Sequence, residues 1–301
     1  MRTAEQSTMT VPEPQLWRRL PLPGTTNVRD LGGYPTRDGK VVANGRLFRG
    51  EVVTRQGATA SRHGIWDPED SAGFRELGLK TVVDLRADRE VETTVSAWTE
   101  ATGAQTVRIP IAEGGEGADT DFVRQLLSGT RTSFTEQDMT AFYVETFRTR
   151  ASLFAEIVEL VSEADHLPAM IHCTAGKDRT GLAVALIMEL VGCRRADVVA
   201  EYALTGALRP NRVAAYASLF QDAGVDPDVA RALFETPAAS MRDALSHLDQ
   251  HFGGASGLLQ QLGAMSERTQ ERLKLSLLID ARDDPGRLSS TWAPPRRRRL
   301  R

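Results

Sequence analysis

Only two cysteines, Cys173 and Cys193, occur in the 301 residues, too few for a disulfide framework or a four-thiolate zinc site. Long apolar runs are also missing. The longest, Leu182–Leu190, contains Glu189 and falls far short of the roughly 20 residues that cross a bilayer. Neither sign of charge dominates: the formal charge is −3 at pH 7, so no global field draws in nucleic acid. The five histidines offer one close pair, His247 and His251, at the spacing of an exposed helix face and without an obvious third ligand. No metal and no cofactor is therefore expected. With 41% hydrophobic and 26% charged residues, the composition is globular, which excludes collagen-like, disulfide-scaffold and wholly disordered classes.

The two ends read differently from the middle. Met1–Thr10 is polar, and no apolar run of the roughly 7–15 residues that make an export signal follows it, so a cytoplasmic chain is expected. Residues 1–20 read as an arm, with Trp17 and Leu20 docking on the body. Residues 281–301 read as a flexible basic tail. From Pro285 onward there are six arginines (Arg287, Arg296, Arg297, Arg298, Arg299 and Arg301) and no acid, behind a Ser-Ser-Thr-Trp-Ala-Pro-Pro run ill suited to a core. Such a tail is either simply solvated or a weak contact for anionic lipid, at ~1 kcal/mol per arginine. Residues 21–280 show no repeat and no boundary, and are read as one domain.

Within that domain, Lys80–Leu85, Thr106–Ile111 and Ala169–Cys173 are short, rich in Val and Ile, and read as buried strands. Lys40–Val42 and Arg46–Arg49 flank Ala-Asn-Gly, a hairpin signal. From Tyr143 to Val161 apolar residues recur every three or four positions, which predicts one long amphipathic helical face. Gly181–Leu190 is apolar almost all round and predicts a buried helix stopped at Gly192, and several further helices follow to Ile279. Strand and helix alternation of this kind predicts an α/β fold: a three-layer sandwich around a mostly parallel central sheet, with a helix-rich C-terminal half.

Chemistry concentrates in one segment, Ile171-His172-Cys173-Thr174-Ala175-Gly176-Lys177-Asp178-Arg179-Thr180-Gly181. It runs from the end of an apolar strand to the start of an apolar helix, where open α/β sheets bind ligands. A short turn with a central glycine lets successive N–H groups point inward as an anion nest, and the helix N-terminus adds its own donors and dipole. Thr174, Ala175, Gly176, Lys177, Asp178, Arg179 and Thr180 are thus the candidate phosphate-binding residues. The same donors favour the thiolate of Cys173, which can attack phosphorus and form a phosphocysteine. Arg179 can grip two phosphate oxygens with its planar fork, and Thr180 can donate its hydroxyl to the thiolate. His172 serves to orient the loop. A Walker A reading fails, because Asp178 follows Gly176-Lys177 and Ile171 stands where the first glycine belongs. Cys193 has no such setting and reads as a core residue.

His-Cys, five residues, Arg, then Thr resembles the signature of the cysteine-dependent phosphatases. Asn27–Tyr34 with Gly45–Gly50, Val82–Val91, and His172–Gly181 with its Lys-Asp before the arginine together resemble three motifs of one bacterial branch. That branch is the atypical tyrosine/lipid phosphatases related to the secreted mycobacterial protein tyrosine phosphatase. The resemblance spans about residues 15 to 280. Val28 stands where the family usually has phenylalanine, and Arg55–Ala72 is longer and more polar than the family needs, which marks it as a lid or disordered insert. The resemblance implies hydrolysis of phosphomonoesters on phosphotyrosine proteins, on phosphoserine or phosphothreonine proteins, or on phosphoinositides, with Lys177 as a second cation for substrates carrying extra phosphates. It favours Asp178 as general acid, with Asp84, at the end of the second strand, as the rival. The alternatives are a catalytically silent phosphate-binding module and another thiolate anion-loop enzyme, such as a sulfurtransferase or arsenate reductase. Asn27, Arg29 and Asp30 read as ties between the amino-terminal turn and the rest of the domain.

Overall fold

The computed structural model describes residues 15–57, 64–112, 122–209 and 213–284. Five strands form the central sheet: β1 (Arg29–Asp30), β2 (Leu47–Gly50), β3 (Thr81–Asp84), β4 (Gln105–Arg108) and β5 (Ala169–His172). Their spatial order is β1-β2-β5-β3-β4, with β1 antiparallel to β2 and every other pair parallel. Register aligns Gly50, His172 and Asp84 in one row. Three strand ends therefore open onto the same rim, beside the turn that follows β5.

Alternation along the strands sorts their side chains between two cores. Leu47, Val83 and Ile171 face the larger one, shared with the C-terminal helices. Phe48, Val82 and Met170 face the smaller one, with Leu20, Leu22, Phe74 and Trp98. The result is the expected three-layer α/β sandwich with unequal outer layers. On the larger face lie α1 (Glu136–Thr149), α2 (Ala151–Ser162), α3 (Asp178–Leu190) and α4 (Arg195–Leu208), then Ala238–Phe252, Gly254–Gln261 and Glu267–Leu277. Of these, α3 is apolar all round and buried along nearly its whole length. Each of its fully buried leucines and isoleucines stabilises the fold by about 1.5–3 kcal/mol. Gly192, at φ +90, carries the chain away beyond its end, a conformation that costs glycine little.

Three expectations need correction. The strands around Asn44-Gly45 do not form a hairpin. Lys40–Val42 pairs instead with Leu278–Asp280, while β2 enters the sheet between β1 and β5. All four residues of β2 are buried, which demands an interior position, whereas Lys40–Val42 runs from exposed to buried as an edge strand does. Asp30 draws the turn inward by accepting hydrogen bonds from the N–H groups of Gly32 and Gly45. The long amphipathic face is two helices broken at Arg150, whose non-helical ψ of 17° turns the chain. The strand predicted over Thr106–Ile111 begins at Gln105 and ends at Arg108, ahead of Pro110.

At the amino-terminal side Leu20 is buried, while Trp17 stays 41% exposed. Among the described residues of the Arg55–Ala72 stretch, Gly64–Trp66 pairs with Val53–Arg55, and Trp66 is buried. Residues 58–63 of that stretch lie outside the described residues, as do residues 1–14 and nearly all of the basic tail. Among the described residues no helix is long and apolar enough to cross a membrane.

Candidate active site

The turn between β5 and α3 is held from outside through its carbonyl oxygens. The N–H of Val52 donates to Thr174 O at 3.1 Å, and Arg209 donates to Ala175 O at 2.8 Å. The Asn27 amide donates to both Ala175 O and Gly176 O, at 3.2 and 3.0 Å. Arg49 donates to Gly176 O at 2.5 Å. A turn whose carbonyls are all drawn outward has its N–H groups facing inward. Among the described residues the N–H groups of Thr174, Ala175, Gly176 and Lys177 have no protein acceptor. Gly176 sits at φ +64 with its backbone packed on Gly50, so the turn closes tightly against the end of β2. Inward N–H groups of this kind have the geometry of an anion nest.

Behind the turn lies a buried charge network. Glu201, on α4, pairs with Arg29 and Arg49, both at 2.6 Å, and all three side chains are essentially inaccessible. Arg29 also reaches the side chain of Asn27, at 2.5 Å, and the hydroxyl of Thr205, at 3.0 Å. Burial and the neighbouring Arg49 pull the Arg29 guanidinium down to about 10, still protonated at neutral pH. One carboxylate thus faces two buried guanidinium groups, which leaves positive charge under the anion nest. Asn27 and Arg29 tie the amino-terminal turn to the loop, as their position in the sequence suggests.

Cys173 is 2% exposed at the mouth of the turn. His172 is fully buried, its Nδ1 lies 3.1 Å from Cys173 O, and burial lowers its pKa, so it orients the backbone as a neutral ring. Arg179 and Lys177 are both buried beside the loop. Lys177 is not a solvated surface lysine: its Nζ donates to Leu233 O at 2.6 Å and lies 3.4 Å from Asp178 Oδ1. The hydroxyl of Thr180 is buried and has no hydrogen-bond partner. Cys193 is fully buried elsewhere in the core, and burial pushes its thiol up to about 12. No group of three or more potential metal-ligating side chains occurs among the described residues.

The two candidate acids have different surroundings. Asp84 does reach the rim, but it is 2% exposed and grips Arg86 with both oxygens, at 2.9 and 2.7 Å, besides accepting the Arg86 N–H. Burial works against its charge, yet the hydrogen bonds and charge of the Arg86 guanidinium outweigh it and keep the carboxyl below its ordinary range. Both of its oxygens are thus committed to Arg86. Asp178 is at the start of α3 with its side chain partly open, and it accepts a hydrogen bond from Tyr143 at 2.5 Å.

Glu90 is the participant that sequence reasoning passed over. It receives both terminal nitrogens of Arg179, at 2.5 and 2.8 Å, together with the Thr174 hydroxyl and the Ala87 N–H. Burial opposes its charge, but Arg179 and Thr174 prevail and hold the carboxyl at about 2. The pair fixes the plane of the guanidinium at the mouth of the nest. Because the Glu90 pKa lies below its ordinary 4.5, the stabilisation is full above pH ~4.5 and is lost as pH falls through about 2. Urea midpoints followed from pH 5 to pH 3 should therefore fall more steeply in the native chain than in Glu90→Gln. Parallel curves would show that Glu90 does not hold Arg179.

A model of the tyrosine phosphatase family matches residues 20–279. The triple specificity protein phosphatase PtpB of Mycobacterium tuberculosis is 27% identical over 286 residues, covering 85% of this chain and 98% of that protein. A Cupriavidus necator protein carrying a tyrosine-protein phosphatase name is 28% identical over 240 residues, covering 78% and 80% of the two chains. A tyrosine-protein phosphatase of Nostoc commune is 27% identical over 169 residues, 52% of this chain and 57% of that one. The chain thus belongs to the tyrosine phosphatase family and is a phosphatase.

Proposed function

We propose that this phosphatase hydrolyses phosphomonoesters in two steps through a phosphocysteine on Cys173. The observation that carries the reading is the turn Cys173–Arg179, whose carbonyls are held outward by Val52, Asn27, Arg49 and Arg209 so that its amides converge on one anion. In the first step the Cys173 thiolate attacks phosphorus and the ester P–O bond breaks. Asp178 passes its proton to the departing oxygen. In the second, water attacks phosphorus, gives a proton back to Asp178, and the P–S bond breaks to release phosphate. Arg179, fixed by Glu90, and the inward amides stabilise the charge on the equatorial oxygens in both steps. The unpartnered Thr180 hydroxyl is the donor for the thiolate as it leaves.

The substrates proposed are phosphotyrosine proteins, with phosphoserine or phosphothreonine proteins and phosphoinositides beside them. Two points support this breadth: the triple specificity named for the mycobacterial relative, and Lys177, a second cation of the loop whose ammonium lies 3.4 Å from Asp178 Oδ1. The test is phosphate release from phosphotyrosine and phosphoserine peptides and from a phosphoinositide panel, with acid quenching to trap labelled enzyme. Label recovered on the Cys173 peptide is the expected result. Phosphate release without any labelled cysteine would overturn the covalent route, and the preferred substrate decides between protein and lipid.

A further inference from the structure

Two fully buried tyrosines from different helices converge on Asp178. Tyr143, on α1, places its hydroxyl 2.5 Å from Asp178 Oδ1, and Tyr202, on α4, places its hydroxyl 2.6 Å from that of Tyr143. The rings meet edge to face at 5.8 Å, and Tyr202 also packs on Gly181 one turn into α3. A carboxylate can only accept, so the chain has a direction. Tyr143 donates to Asp178, and Tyr202 donates to the oxygen that Tyr143 leaves open. Burial, with Asp178 nearby, keeps both phenols protonated far into the alkaline range, so both remain donors.

Neither tyrosine is needed for core packing in this form, since phenylalanine would fill the same space without burying a hydroxyl that requires a partner. The Tyr143 hydroxyl finds that partner in Asp178 Oδ1, which also lies 3.4 Å from the Lys177 ammonium, and the Tyr202 hydroxyl finds it in that of Tyr143. With Oδ1 facing two donors, a proton on Asp178 belongs on Oδ2. The charged groups around this cluster are Lys177 from the loop and Arg49 from β2, the latter facing Tyr202.

We infer that Tyr143, backed by Tyr202, is a positioning residue for the general acid: it fixes which oxygen of Asp178 carries the proton and stabilises the carboxylate formed on donation. The inference rests on the reading of Asp178 as general acid. Removing the Tyr143 donor penalises the carboxylate relative to the protonated acid. A general acid works only while protonated, so the alkaline limb of kcat/KM must move to higher pH.

The experiment compares Tyr143→Phe, Tyr202→Phe and Asp178→Asn with the native chain on an aryl and an alkyl phosphate across pH. Tyr143→Phe should move the alkaline limb up by about 1–2 pH units, as expected for one lost hydrogen bond to a charged group. It should lower kcat about 10-fold on the alkyl ester, which needs its proton most, and much less on the aryl ester, with KM little changed. Tyr202→Phe should move both quantities the same way by a smaller amount, and it keeps the test alive if the first variant folds poorly. Should Asp178→Asn hurt the alkyl ester selectively while both phenylalanine variants keep the native pH profile, the role given to Tyr143 is wrong. Should Asp178→Asn show no such selectivity, the assignment of Asp178 itself is wrong and the inference falls with it.

Discussion

Cys173→Ser is expected to abolish turnover, by on the order of 10⁴-fold or more, while leaving phosphate bound. The nucleophile is the reacting atom, whereas the binding energy comes from groups the substitution does not touch. Those are the amides of the loop, Arg179 on Glu90, and the buried positive charge of Arg29 and Arg49 against the single carboxylate of Glu201. Serine nearly matches cysteine in size, so the 2% exposed site need not rearrange. Its hydroxyl stays neutral, which removes the repulsion a thiolate exerts on a phosphate dianion. Calorimetry with inorganic phosphate should therefore show affinity equal to or better than that of the native chain. Residual turnover within about 10-fold of native would exclude Cys173 as the nucleophile. Loss of phosphate binding along with turnover would mean that the loop depends on the sulfur for its shape.

The loop itself was legible because its determinants are contiguous. Strand β5, the turn and helix α3 follow one another within Ala169–Leu190, so spacing and hydropathy place Cys173, Gly176 and Arg179 together without any knowledge of the fold. What was not legible reaches the loop from afar. Glu90 is 89 residues from Arg179, and Arg49 is 127 from Gly176. In the sequence each is one charge among many on a polar or mixed segment, and only the strand order brings them to one rim. Tyr143 was read as part of an apolar stripe, which it is, but its hydroxyl meets a charged partner 35 residues on.

The hairpin failed for a related reason. Asn44-Gly45 is a strong local turn signal, yet the burial of all of Leu47–Gly50 is a stronger constraint and takes that strand into the sheet interior. Asp84 stands at the strand end, and its adjacent Arg86 takes both oxygens, a pairing that the sequence did not declare. Local patterns name the elements here. The competition for burial and for charge partners decides how they are used.

Gly176→Ala is expected to have a large effect although it leaves every functional side chain in place. The residue has φ +64, and a Cβ there would lie 2.5 Å from the carbonyl carbon of Gly50 and 2.8 Å from the nitrogen of Glu51, closer still to the Gly50 oxygen. Those atoms are backbone at the end of β2, which is paired on both edges and cannot retreat. The turn must move instead, dragging the amides of Thr174–Lys177 and the Gly176 carbonyl that Asn27 and Arg49 hold. Left-handed backbone and overpacking together should cost about 2–4 kcal/mol of stability. A displacement near 1 Å at the nest should reduce kcat by on the order of 10²-fold. Gly39→Ala provides the comparison: its φ is +84 but nothing lies within 4 Å of the added carbon, so it carries only the conformational part, about 1–2 kcal/mol. Urea midpoints and kcat measured on both variants separate the two effects. If Gly176→Ala unfolds no more easily than Gly39→Ala and turns over at the native rate, the turn is not packed on β2 as described. The outward pull on its carbonyls is then not what shapes the nest.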